Sequence, residues 1–178
     1  MLYPNQINSN FFRRMMMAGW YADREVVCEQ LPLHLNELIG KNELEQFLKE
    51  IWYLSFIDDI FYANEYDEVK YYNILYSFGE ITKKLVDYSE DDDYLNIYKK
   101  MASKKIRNFG YKDGREILID EEGRIYFIPD SGDLYYMGAK FYEGLYNLIY
   151  NTGESYIASR DGLFINERTK QEFYIGDI

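Results

Sequence analysis

The stretch Glu116-Ile-Leu-Ile-Asp-Glu-Glu-Gly-Arg-Ile-Tyr126 decides the fold, together with Leu134-Tyr-Tyr-Met-Gly138 and the periodic residues 141–150. Ile117 and Ile119 alternate with Leu118 and Asp120, which predicts a strand. Glu121-Glu122-Gly123 supplies a turn with glycine where a left-handed residue is needed, and residues 124–128 return as a second strand. Pro129-Asp-Ser-Gly-Asp133 is built of turn residues, and residues 134–137 make a third strand. Phe141, Leu145, Leu148 and Ile149 mark one face of a helix. The order is strand, tight turn, strand, short loop, strand, glycine, helix. None of these residues looks built for chemistry, and the pattern predicts a small α+β domain whose product is a surface.

Working outward, residues 154–178 read as one more hairpin, with its turn near Arg160-Asp-Gly162 or Glu167-Arg-Thr-Lys170. Upstream, Ser89-Glu-Asp-Asp-Asp93 looks like an acidic helix start, because carboxylates complement the helix dipole there. Leu95, Tyr98 and Met101 or Ala102 supply its buried stripe, and Lys99, Lys100, Lys104 and Lys105 crowd its other end. Residues 56–62 and 70–78 are rich in aromatic and β-branched side chains, which favours strands, with Glu65, Asp67 and Glu68 in the loop between them. Leu44, Phe47, Leu48, Ile51 and Leu54 mark a helix face, with Asn42 as cap and Glu45 at the capping-box position. Residues 26–38 are apolar but interrupted by Pro32. Near the start, Phe11, Phe12, Met15 and Met16 recur at helical spacing, Ser9 or Asn10 caps, and Gly19 ends the helix. Trp20 then packs back on the core, and the run Met15 to Met17 reads as apolar filling, not as a ligand cluster.

The 178 residues most simply make one domain, 1–178. With 20 Tyr and 11 Phe the chain can build a sizeable core, and only 3 Pro and 12 Gly argue against disorder. The net charge of −11 is unevenly placed: −1 over residues 1–40, −7 over 41–100 and −3 over 101–178. Such a field repels nucleic acid and anionic membrane and attracts basic partners, though charge also serves plain solubility. Cys28 and His34 are single. They exclude an internal disulfide and a Cys/His zinc cluster, and a cytoplasmic location is the default. No secretion signal and no membrane-length apolar run is visible.

Candidate chemistry is sparse. Asp58 and Asp59 are adjacent, so on a strand they point to opposite faces and do not converge on one ion. Residues 89–93 lack the spaced ligands of a calcium loop. No nucleophile motif accompanies His34, Gly110-Tyr-Lys-Asp-Gly114 is not a phosphate loop, and no basic stripe interleaves with aromatics. No catalytic, metal-binding or cofactor-binding residue is expected.

Two groups of motifs are familiar. Ala18-Gly-Trp-Tyr-Ala-Asp-Arg-Glu-Val26 is one. The other runs through residues 110–153: a glycine in a loop, an apolar strand, the Asp-Glu-x-Gly-Arg-Ile-Tyr turn, a strand ending Met-Gly, and Phe141-Tyr-Glu-Gly-Leu-Tyr-Asn-Leu-Ile149. In this order and spacing the chain resembles the SUKH superfamily, in particular its third subgroup of bacterial immunity proteins. Gly19, Trp20, Arg24, Gly123, Arg124 and Gly138 carry the resemblance and read as structural. Trp20 plugs a core edge, Arg24 pairs with a carboxylate or caps carbonyls, and the glycines meet backbone requirements. The resemblance spans a core of about residues 11–153. It departs where the family has a Phe-Gly-Gly-Leu element, here Phe78-Gly-Glu-Ile81. That implies an insertion over about residues 56–76, and residues 154–178 form a β-rich C-terminal extension.

The resemblance implies a single antiparallel or mixed sheet with helices packed mainly on one face, to which this chain adds its own C-terminal β-hairpin. It also implies a domain that neutralises a protein toxin, often a nuclease, without being an enzyme. The acidic surface is then the expected contact. Its candidates are Asp58, Asp59, Tyr62, Glu65, Tyr66, Asp67 and Glu68, then Asp91, Asp92, Asp93 and Tyr94, with charge aiding encounter and aromatic anchors supplying affinity. A non-catalytic scaffold with a host partner is the alternative. Nothing in the sequence fixes the oligomeric state.

Overall fold

The computed structural model describes residues 1–24, 42–63, 69–79, 93–152 and 155–178. Nine strands form one sheet in sequential order, every neighbouring pair antiparallel. They are β1 Ser55–Ala63, β2 Val69–Phe78, β3 Ile106–Lys112, β4 Arg115–Asp120, β5 Arg124–Phe127, β6 Tyr135–Lys140, β7 Tyr156–Arg160, β8 Leu163–Ile165 and β9 Glu172–Tyr174. The helices are α1 Pro4–Ile7, α2 Ser9–Met17, α3 Asn42–Ile51, α4 Asp93–Ala102 and α5 Phe141–Tyr150, with a closing 3-10 turn at Ile175–Asp177. This is the α+β class expected, with a strand series at the C-terminal end.

The two faces of the sheet build two cores. On the first, Phe11 and Met15 of α2, Leu44, Phe47, Leu48 and Ile51 of α3, and Phe141, Tyr142, Leu145 and Leu148 of α5 pack on Phe78, Ile117, Ile119 and Ile125. Each fully buried side chain of this size stabilises the fold by about 1.5–3 kcal/mol. On the second face, Tyr98 and Ala102 of α4 pack with Leu118, Tyr126, Tyr136, Phe164 and Ile175. The central strand β4 is therefore covered on both sides, which is why Ile117, Leu118 and Ile119 read as an apolar run.

The sheet curls over the second core. In a flat sheet β5 and β8 would lie about 14 Å apart, three strand spacings. Yet the rings of Tyr126 and Phe164 are 6.1 Å apart, and Phe164 is also 6.1 Å from Tyr136. The tail is thus an integral part of the sheet. The tail is three strands and not the single hairpin expected, because a turn forms at both of the alternative places: one at Arg160–Leu163, and one where the Asn166 carboxamide oxygen accepts from Arg168 N (3.0 Å) and Thr169 N (2.9 Å).

Several local details differ from the sequence reading. Asn8, not Ser9 or Asn10, caps α2, its Oδ1 accepting from Asn10 N at 2.9 Å and Phe11 N at 3.2 Å. Of the three methionines only Met15 is core; Met16 and Met17 are exposed because they fall on the opposite side of the helix. Gly110 lies inside β3, at a register shift, and not in a loop. A Cβ there would come within 2.6 Å of the Phe78 ring, so the close approach of β2 requires glycine. The apolar segment around Pro32, the cap position before Asn42 and the acidic run 89–92 lie outside the described residues.

Candidate partner-binding surface

The most distinctive surface element is the β1–β2 ribbon. Its base is anchored: Phe56 stacks on Tyr76 (5.0 Å, 19°), and both are buried against the first core with Ile74 half-buried beside them. β2 pairs with β3 only from Tyr76↔Lys112 to Phe78↔Gly110, and Asp113 N donates to Leu75 O at 2.7 Å where β3 turns into β4. Past that turn the ribbon continues from Asp58↔Ile74 to Ala63↔Val69 without a register shift. Among the described residues it therefore extends past its pairing with β3 as a two-stranded arm, in the region read as an insertion.

Ile57 and Leu75 face each other across the ribbon and are 58% and 45% exposed. Alternation places them on the side opposite Phe56 and Tyr76, away from the first core. Sequence reading singled out the acids of this region but not this exposed aliphatic pair. Its signal was present, since Ile57 is out of step with buried Phe56. Residues 55–78 hold Asp58, Asp59, Glu65, Asp67 and Glu68 against Lys70. The arm thus concentrates negative charge.

Of the expected contact residues, Asp58, Asp59 and Tyr62 belong to β1, in register with Ile74, Asn73 and Lys70 respectively. Asp93 and Tyr94 open α4. Glu65, Tyr66, Asp67, Glu68, Asp91 and Asp92 lie outside the described residues.

The residues carrying the family resemblance are built into the fold. Gly19 has φ +94° and ends α2 as expected. Trp20 is buried and donates from Nε1 to the Tyr142 hydroxyl at 2.7 Å, which donates in turn to Glu50 Oε2 at 2.5 Å. Burial, with Glu50 beside it, pushes the Tyr142 hydroxyl far above the ordinary tyrosine range. Glu50 is fully buried and also accepts from Gln46 Nε2 (2.6 Å) and Asp23 N (3.2 Å). Arg24 takes the carbonyl-capping option, its Nη1 donating to Glu50 O at 3.0 Å and Trp52 O at 2.6 Å at the end of α3. Such contacts close the orphan carbonyls of a helix C-terminus.

The turn between β4 and β5 holds a second polar cluster. Gly123 has φ +81°, and a Cβ there would lie 2.2 Å from the Phe141 ring. Arg124 is fully buried; its Nη1 meets Asp120 Oδ2 at 3.2 Å, its Nη2 meets Glu122 Oε2 at 2.9 Å, and Nη2 also donates to Ile178 O. Asp120 further accepts from Arg124 N (2.9 Å), Glu122 N (2.9 Å) and the Tyr126 hydroxyl (3.0 Å). Burial raises the Asp120 pKa above the ordinary carboxylate value, and these donors pull it back only in part. For Glu122 the balance is reversed. Burial raises it, but Lys104, Arg124 and Lys140 together outweigh burial and lower it to about 2. These contacts lock the turn between β4 and β5. Gly138, with φ +71°, lies on the rim of a neighbouring groove of about 600 Å³. Of the charges that line it, Lys140 pairs with Glu122 at 3.4 Å and Glu43 with the Met1 amino group at 2.9 Å.

With this geometry in view, comparison with known proteins adds no relative. The chain matches no family model, no curated protein and no solved structure. Among the described residues no three His, Cys, Asp or Glu side chains gather to hold a metal ion, and no helix is long and apolar enough to cross a membrane. Cys28 and His34 lie outside those residues.

Proposed function

We propose that this chain is a non-catalytic immunity protein of the cytoplasm that binds and neutralises a cognate protein toxin carrying a basic domain. The observation that carries the proposal is the anchored, projecting β1–β2 arm with its excess of carboxylates. The toxin class comes from the likeness of the two motif groups to SUKH immunity proteins. A basic nuclease groove is the complement such an arm suits, since charge complementarity speeds encounter and excludes wrong partners. Affinity then rests on a few desolvated anchors at the centre of the contact, for which Ile57, Leu75 and the neighbouring tyrosines are the candidates.

The test is capture of partners from the native host with the tagged chain, at low and high salt, beside the variant Asp58→Lys/Asp59→Lys. The expected result is a stoichiometric partner with a basic, toxin-like domain, weakened by salt and by charge reversal. A housekeeping protein retained equally by both chains would instead favour the scaffold role.

A further inference from the structure

The outer edge of β1 goes beyond a charged patch, because among the described residues Asp58 and Asp59 are its one safeguard of the kinds by which sheets protect their edges. Edge strands are ordinarily short, bulged, covered, or marked by charged residues, Lys above all, or by Pro. The opposite edge follows that rule: β9 has three residues and runs directly into a 3-10 turn whose Ile175 is buried. β1 has nine residues, Ser-Phe-Ile-Asp-Asp-Ile-Phe-Tyr-Ala, with neither Lys nor Pro. Its pairing with β2 runs over nine residue pairs without a shift, longer than the pairing of any other two neighbouring strands. Among the described residues no element pairs with its outer side.

We infer that β1 receives an extended cationic segment of the partner as an added antiparallel strand, with basic residues opposite Asp58 and Asp59 and an apolar residue opposite Ile57. The inference rests on the acidic-arm reading above and gives it a mode of contact. Main-chain hydrogen bonds supply affinity in such additions, and side chains supply the choice of partner. Charge decides between occupants. A second copy pairing antiparallel about the Asp58-Asp59 step would set carboxylates opposite carboxylates, which destabilises a ladder, whereas Lys or Arg there stabilises it.

The test uses two labelled, end-blocked peptides with the full chain: Thr-Val-Lys-Lys-Val-Thr-Val, and the same peptide with every Val replaced by Pro. Their charges are equal, but the second lacks the N–H donor at each replaced position and disfavours strand pairing. Fluorescence anisotropy should show the Val peptide binding at least about tenfold tighter, a difference of about 1.4 kcal/mol. It should also slow amide exchange over residues 55–63, and Asp58→Asn/Asp59→Asn should weaken it several-fold. Equal binding of both peptides would overturn strand addition while leaving the acidic-arm reading intact. Binding of neither would remove β1 as a docking edge. Dimerisation of the free chain with β1 protected would assign the edge to a second copy.

Discussion

Tyr142 shows how much of this fold turns on single polar atoms. Its hydroxyl joins the indole of Trp20 to buried Glu50, so Tyr142→Phe leaves one buried donor and one buried acceptor short of a partner. Leaving such groups unsatisfied costs about 1–3 kcal/mol. We expect a loss in that range by urea unfolding, with an unchanged slope against denaturant. Glu122 makes a pH prediction. Its folded pKa of about 2 lies below the ordinary 4.5. Its contribution is therefore fully present above 4.5, and is lost as pH falls toward 2. Glu122→Gln should lower the thermal midpoint near neutrality and flatten its fall over that acid window relative to the unmodified chain. Trp20 and Gly123 were legible in the sequence, one because an indole follows a helix-ending glycine, the other because glycine follows two acids between strands. Glu50 was not legible. It shares its helix with Glu43, Glu45 and Lys49, and only the tertiary neighbours Tyr142 and Asp23 distinguish it from a solvated carboxylate.

At the scale of elements, periodicity located α3, α5, β1, β2 and the β4–β5 hairpin close to their observed bounds, because each carries an unambiguous apolar rhythm. β3 escaped because Asn108 and Gly110 weaken its strand signature, and its glycine answers a packing demand of Phe78 that no local pattern records. The curl that brings Phe164 onto Tyr126 was equally hidden, since it depends on side chains from strands three apart. The ribbon yields a clean prediction. Replacing residues 58–74 by Asn-Gly joins Ile57 to Leu75, which are register partners, through a two-residue hairpin turn. Phe56 and Tyr76 keep their places, while the half-buried Ile74 is lost. The shortened chain should stay folded, losing no more than about 1–2 kcal/mol, as circular dichroism and thermal melting would show. It should lose partner binding, because Asp58, Asp59 and the arm's tyrosines are removed although Ile57 and Leu75 remain. An unfolded product would mean that the arm belongs to the folding core.

For the whole molecule, the charge of −11 and the double-faced sheet fit one division of labour. Two cores hold a rigid frame, buried polar clusters lock its turns, and the acidic arm is left outside the frame. Long-range steering by such a charge weakens as salt screens it, with a Debye length of roughly 8 Å at physiological ionic strength. The account is tested most directly by titrating the captured toxin domain against the unmodified chain and the arm-shortened chain over a series of salt concentrations. We predict tight binding that weakens with salt for the first and at least about a hundredfold loss for the second, roughly 2.7 kcal/mol. Equal affinity of the two chains, with no dependence on salt, would contradict it.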